Sequence, residues 1–346
     1  MNAMNEILIE VWRGETVESI HRGHLMVVNG DGETVCELGE PETVTFLRSS
    51  AKPFQTVSFL LSGAAERFGF SMREIALACG SHNGENLHVE TSAKMLQKIG
   101  LSERDLRCGA HEPFNVEIAR ELIRRGEKPN QLHNNCSGKH AAMLAFAKQI
   151  GANLENYETL ENPVQQSILD TIAKFADVPK DTIKLGVDGC AAPNYAVSLR
   201  KMAGMFAKLV FPPSDFDVEL REACRRVVTA MMDYPEMIGG SVTERLDTII
   251  MHSAKGKIVS KIGAEGVYTA GVLPSPQWKR GLGIALKIAD GEDRRARPVA
   301  VLEILRQLGI LDANNVENLK PFAEIALTNR VGQKVGAVIP NFTLNF

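Results

Sequence analysis

No run of apolar residues in this chain approaches the roughly 20 that a membrane-spanning helix needs. No block of Lys and Arg, acidic tail or low-complexity tract occurs, and the formal net charge is only −3. The chain therefore offers no electrostatic footprint for nucleic acid or for an anionic membrane. The opening stretch MNAMNEILIEVWRGE lacks the charged start and apolar core of a secretory leader. The six cysteines (Cys36, Cys79, Cys108, Cys136, Cys190, Cys224) include no C-x-x-C pair and are too sparse for a disulfide framework in 346 residues. These absences predict a cytoplasmic protein with free thiols. No internal repeat and no Gly/Ser/Pro linker marks a domain boundary, and 44% hydrophobic against 23% charged residues describes an ordinary globular chain.

The pattern changes character twice. In the first fifty residues ILIEVWRG, SIHRGHLMVVN, TVCEL and ETVTFLR are short β-prone runs, and NGDG at Asn29–Gly32 supplies a hairpin turn that needs positive φ. From Pro53 to about Met232 the chain turns helical. TVSFLLSGAAERFG, MREIALAC, LHVETSAKMLQKIG, NVEIARELIRRG, KHAAMLAFAKQIG and PVQQSILDTIAKFA space their apolar residues by three and four. One strand-like run, TIKLGVDG at Thr182–Gly189, interrupts them. After Gly239, IIMHSAKGKIVSKIG, GVYTAGVL and GLGIALKIADG read as strands, followed by the helix PVAVLEILRQLG. The arrangement predicts an α+β fold in which both chain ends build one antiparallel sheet around an inserted helical region. We expect a single domain over 1–346 with two lobes, a sheet lobe at about 1–52 and 240–346 and a helical lobe at about 53–239.

Three short motifs carry chemistry. RSSAKP contains Ser49-Ser50-Ala51-Lys52, an S-x-x-K. If Ser49 opens the helix that Pro53 begins, Lys52 lies about one turn on and faces the same way. A buried lysine has a lowered pKa and can activate a serine, while a helix N-terminus favours developing negative charge. Ser50 is a rival, set aside only by the spacing of three between Ser49 and Lys52. SLRK at Ser198–Lys201 fits the pattern equally well, and there we expect a cap and a surface lysine on a solvent-washed helix. SHNGE supplies Ser81-His82-Asn83, an S-x-N, and SKIGAEG supplies Lys261-Ile262-Gly263, a K-x-G on a strand. Serine β-lactamases and penicillin-binding proteins carry S-x-x-K, S-D-N and K-T-G in that order. Lys261 near Lys52 would keep one amine neutral by like-charge repulsion, and Ser81 could relay a proton to a leaving amine. The reaction class is amide hydrolysis through an acyl-serine.

HNNCSGKHAAML, residues His133 to Leu144, raises a separate question. A phosphate loop needs glycine at 133 and Ser or Thr at 140, and both positions hold histidine. Cys136 and Lys139 are three apart at the start of an expected helix, and VDGCAAPN supplies Cys190 two residues after Asp188. Two thiolates and a nitrogen, with water as fourth ligand, suit zinc. Buried thiols with a capping role are the competing reading, since lysine must be neutral to ligate.

Taken together, RSSAKPFQ, CGSHNGE, HNNCSGKHAAML, VDGCAAPNYAVSL and KIGAEGVY resemble the L-asparaginase II family of the serine–lysine type. The likeness runs from about residue 10 to the C-terminus and includes NRVGQKVG. That family is similar in fold to serine β-lactamases and glutaminases, so the resemblance implies an α/β sandwich-like fold of that kind. It implies hydrolysis of L-asparagine to L-aspartate and ammonia, with nucleophile Ser49 paired with Lys52 and a second pair, Ser81 and Lys261. It also implies a zinc site at Cys136, Lys139 and Cys190 with Asp188 close to the metal-bound water, and a homodimer. Zinc would then orient the substrate or stiffen the pocket rather than break the bond. Arg48, His82, Asn83 and Asp188 are the expected substrate contacts, with His140 nearby. The competing functions are another amidase on this scaffold, acting on glutamine, a β-lactam or a small peptide, and a silent amino-acid-binding protein. The missing leader argues against a secreted β-lactam target.

Overall fold

Leu8, Ile9 and Val11 are buried along strand Glu6–Arg13, whose two end residues are exposed, so this strand presents apolar side chains to a core from its middle. The computed structural model describes residues 6–241, 245–311 and 313–346; residues 1–5, where the stretch read for a leader begins, lie outside them. Contacts divide the chain into a sheet unit (Met1–Ser50, Val197–Pro213, Ile249–Phe346) and a helical unit (Ala51–Ala196, Ser214–Thr248).

The sheet is antiparallel and joins both chain ends, as the sequence pattern predicts. Its order is Ile325–Thr328, Lys334–Pro340, Glu6–Arg13, Thr16–Asn29, Leu282–Ile288, Val267–Val272, Ile258–Ile262, with Thr34–Leu38 also pairing to Thr16–Asn29. Val11 stands opposite Val338 and Leu25 opposite Leu286. The turn at Asn29–Gly32 forms with Gly32 at φ +82°, and Asn29 Oδ1 accepts the Asp31 and Glu33 amides. All of Val267–Val272 is buried because helices cover the sheet. Helix Leu199–Val210 lies so close that a Cβ on Gly283 would sit 1.9 Å from Ala203 O, a position only glycine can fill.

Two local expectations fail. Ser198 does cap its helix, through the Lys201 amide, but Leu199–Val210 is not solvent-washed. It buries Leu199, Met202, Met205, Phe206 and Leu209 on the sheet, because apolar spacing of three to four outweighs the flanking charges. The start of IIMHSAKGKIVSKIG is helix, Leu246–Ser253, ending before Gly256 at φ +74°; the strand is Ile258–Ile262. A short run of β-branched residues cannot by itself separate a buried helix from a strand.

In the helical unit, Lys52–Leu61, Met72–Cys79, Asn86–Lys98, Ser137–Ile150, Pro163–Ala176 and Val218–Asp233 are the longer helices around the candidate residues. Ser137–Ile150 runs through the middle, buried from Ser137 to Ala147. Its Gly138, the glycine of the apparent phosphate loop, is a packing residue: a Cβ there would lie 2.5 Å from Leu77 Cγ and 2.7 Å from Leu77 O. Lys184–Val187 and Pro193–Ser198 form a hairpin whose turn carries Asp188 and Cys190. Among the described residues no helix is long and apolar enough to cross a membrane.

Candidate active site

Lys52 is the first residue of its helix, just ahead of Pro53, and its side chain is buried. A cation is disfavoured at a helix N-terminus, which adds to the cost of burial. Its Nζ donates to Gly80 O at 2.5 Å and Asn135 O at 3.2 Å, and lies 2.9 Å from Ser81 Oγ. Burial pulls the Lys52 amine below its ordinary range, Cys136 opposes that, and the charge on Lys139 reinforces it. A neutral amine has two N–H donors, which match the two carbonyls, and one lone pair, which then faces the Ser81 hydroxyl. Ser81 follows the helix Met72–Cys79 and the turn at Gly80, where a Cβ would meet Met237 O at 2.4 Å.

His82 and Asn83 continue that loop and are buried. His82 Nδ1 accepts from the Gly84 amide at 3.1 Å, so Nε2 carries the proton and donates to Ser137 Oγ at 2.9 Å. Its ring stacks on His88 at 4.7 Å, and burial first, then the charge of His88, keeps it well below the usual histidine range. Both nitrogens of His82 therefore serve the fold.

The cysteine–lysine stretch forms a second cluster in the same unit. Lys139 Nζ donates to Cys190 Sγ at 3.0 Å, and all of Cys136, Lys139, His140 and Cys190 are buried. The Cys136 thiol bonded to Cys190, then Lys139 and His140, hold Cys190 far below the ordinary thiol range despite burial. Burial works against the Lys139 ammonium, yet Cys190 and Cys136 raise it above the usual lysine range. The Lys139 amine thus faces the sulfur of the cluster that holds its proton least tightly. Ala191 at φ +68° forms the turn that presents it, a backbone state worth about 1 kcal/mol of strain for a residue with a Cβ. Asp188, half-buried, turns its Oδ1 to the Gly189 amide and adds negative charge near Lys139. No group of three or more His, Cys, Asp and Glu is set to hold a metal ion among the described residues. An ion here would take its third protein ligand from Lys139, in exchange for the proton that ligation displaces. With that exchange, two sulfurs and an amine fit zinc.

The sheet unit holds the other candidates. Ser49 is half-buried in the 3₁₀ turn Arg48–Ala51, so the α-helix begins at Lys52 and not at Ser49. Ser50 is fully buried and donates to Lys261 O at 3.2 Å, which occupies the rival hydroxyl. Lys261, buried on Ile258–Ile262, donates from Nζ to Ile262 O at 2.8 Å. Arg48 has φ +51° and pairs at 3.8 Å with Glu265, itself at φ +61°. Such left-handed non-glycine residues cluster where function over-determines the backbone. Sequence reasoning missed Asn135, whose carbonyl completes the Lys52 shell, and Arg245, which donates to Ser81 O at 2.8 Å. Backbone acceptors and isolated arginines have no motif that could have revealed them.

The L-asparaginase II family model matches residues 9–340, and the chain belongs to that family, one of amidohydrolases. No curated protein matches it. Among solved structures it is similar to a probable glutaminase from Bacillus subtilis complexed with 6-diazo-5-oxo-L-norleucine. That likeness has 13% identity and a TM-score of 0.38 over 84% of this chain and 85% of that one. It is also similar to the protein Mglu in its native form, at 13% identity and a TM-score of 0.44 over 85% and 66% of the two chains. Likenesses this loose carry no argument about the site.

Proposed function

We propose that this amidohydrolase converts L-asparagine to L-aspartate and ammonia through a serine ester, in the cytoplasm and as a homodimer. The observation that carries the reading is the buried Lys52 amine, fixed by the Gly80 and Asn135 carbonyls with its remaining direction on Ser81 Oγ. A lysine whose amine burial shifts toward the neutral form is what activates a serine without a histidine.

In this mechanism Ser49 Oγ gives its proton to the Lys52 amine by way of the Ser81 hydroxyl, which the Lys52 lone pair faces, as the Ser49 oxygen bonds to the side-chain amide carbon. The carbonyl π pair moves onto its oxygen. Collapse of the tetrahedral adduct breaks the C–N bond, and the leaving nitrogen takes a proton through the Ser81 hydroxyl, which Lys52 re-supplies. Water, deprotonated by Lys52, then cleaves the ester to release L-aspartate and restore Ser49. Arg48 and Asp188, both half-buried, would bind the substrate's carboxylate and ammonium, while His82 and Asn83 act from behind through the loop they share with Ser81. Zinc, when held by Cys136, Lys139 and Cys190, would supply a fixed positive centre that orients the substrate's polar head.

The test is ammonia release from asparagine by folded Ser49→Ala and Lys52→Met variants, with glutamine as the parallel substrate. Both variants are expected to be inactive, and a diazo-ketone analogue of asparagine should label the peptide holding Ser49. Near-wild-type turnover in either variant would sink the mechanism. Faster turnover of glutamine would keep the amidohydrolase and reassign its substrate.

A further inference from the structure

Ser81 is held on a side unrelated to Lys52. Its N–H donates to Ile238 O at 2.7 Å, and its carbonyl accepts from Arg245 Nη2 at 2.8 Å. The other arm of the same guanidinium, Nη1, donates to Asn83 Oδ1 at 3.0 Å. Its carbon lies 5.7 Å from the centre of the Phe114 ring. Behind the loop, the buried Glu85 carboxylate accepts the Ser241 amide at 3.0 Å. The same oxygen, Oε1, lies 3.4 Å from the side-chain amides of Asn83 and Asn115. Gly240 sits between these groups at φ +138°, and a Cβ there would lie 2.5 Å from Asn83 Nδ2 and 2.7 Å from Glu85 Oε1.

We propose that Arg245 is the positioning residue for Ser81: its planar fork fixes the Ser81 carbonyl and the Asn83 side chain together, so that Ser81 Oγ stays on the Lys52 amine. Glu85 and the bare backbone of Gly240 give the clamp its rigidity. The role rests on reading Lys52 and Ser81 as the proton-transfer pair. Arg245 touches neither a reacting atom nor the Lys52 amine; it acts through the loop. A lysine's donors radiate from a single nitrogen, so it would not reproduce the two parallel, coplanar donors that hold the Ser81 carbonyl and the Asn83 side chain together.

The experiment compares Arg245→Gln, Arg245→Lys and Gly240→Ala in the full chain, with asparagine as substrate and free guanidinium as the rescuing agent. Arg245→Gln is expected to lose about 100-fold in kcat while KM stays within about threefold, since an ångström of misplacement is enough for such a loss. Arg245→Lys should recover part of the rate, and added guanidinium should speed Arg245→Gln but not the wild type. Amide exchange at residues 81–84 should quicken at least about tenfold in Arg245→Gln and Gly240→Ala, with helix Ser137–Ile150 unaffected. A wild-type rate, a loss that merely tracks the unfolded fraction, or unchanged exchange at 81–84 would overturn the clamp. Exchange is read without turnover, so a wild type inactive on asparagine would count against the proposed reaction while the exchange arm still decides the clamp.

Discussion

The two units bury different things. The sheet unit is apolar inside, with Lys261 and Arg297 as its buried cations and His21 and His24 as its buried histidines. Among the described residues, the helical unit buries Lys52 and Lys139, the histidines His82, His88 and His140, the carboxylates Glu74, Glu85 and Asp247, and the Cys136–Cys190 pair. Apolar burial stabilises at roughly 25 cal/mol per Å², whereas each buried charge costs free energy unless its partners are in place. The sheet unit is therefore mainly a scaffold that carries Arg48, Ser49 and Lys261, and the helical unit is where most of the stability is exchanged for reactivity. Groups displaced from their ordinary ionisation range gather in it for that reason.

The strongest way to break this contrast is Lys52→Met. It should lower kcat/KM by about 10³-fold or more while the thermal midpoint moves little, because the lost amine was itself expensive to bury. A collapse of the fold instead would make Lys52 a structural residue. Next in size, Cys190→Ser should weaken zinc binding by at least about 100-fold. In the wild type, added zinc should raise the unfolding midpoint of helical-unit segments in exchange experiments, and in Cys190→Ser it should not. The mirror experiment is Gly283→Ala in the sheet unit. It should destabilise by about 1–3 kcal/mol through overpacking on helix Leu199–Val210, with the kcat of the folded fraction unchanged.

The smallest effect is in pH. Burial holds His82 and His88 below their unfolded value near 6.5, so the unfolded chain takes up protons more readily. Stability from these groups is fully present above about pH 6.5 and is lost as pH falls below it, by at most about 1.4 kcal/mol for each group at pH 5.5. Exchange protection between pH 7.5 and 5.5 should fall more in helices Met72–Cys79 and Asn86–Lys98 than in strands Thr16–Asn29 and Leu282–Ile288. His24, buried in the sheet unit, shifts in the same direction and sets the baseline. Equal losses in both units would erase the distinction.

What the sequence reveals follows the same division. Alternating and continuous apolar runs at both ends predict the antiparallel sheet, because strand chemistry is local. Ser49, Lys52, Ser81 and Lys261 stand out because motifs of three or four residues keep their spacing in any fold. The Lys52 to Ser81 contact does not, since those residues are 29 apart and meet through Gly80. Helix Leu246–Ser253 was misread because four or five apolar residues satisfy either period, and the burial of helix Leu199–Val210 because the charges of SLRK hid the apolar face that follows. Arg245 was silent, as any arginine is until its acceptors are known.

The pairing of Ile9 with Pro340 has a consequence for biosynthesis. Strands Glu6–Arg13 and Thr16–Asn29 can form their hairpin as soon as they leave the ribosome, but the outer edge of the first strand has no partner until Lys334–Pro340 emerges. At about 5–20 residues per second that wait is on the order of 20–60 s. Throughout it, an open strand edge flanked by Leu8, Ile9 and Val11 is free to recruit the wrong neighbour. The seam that closes the sheet is thus also the latest to form, and the nascent chain depends on whatever shields that edge in the meantime.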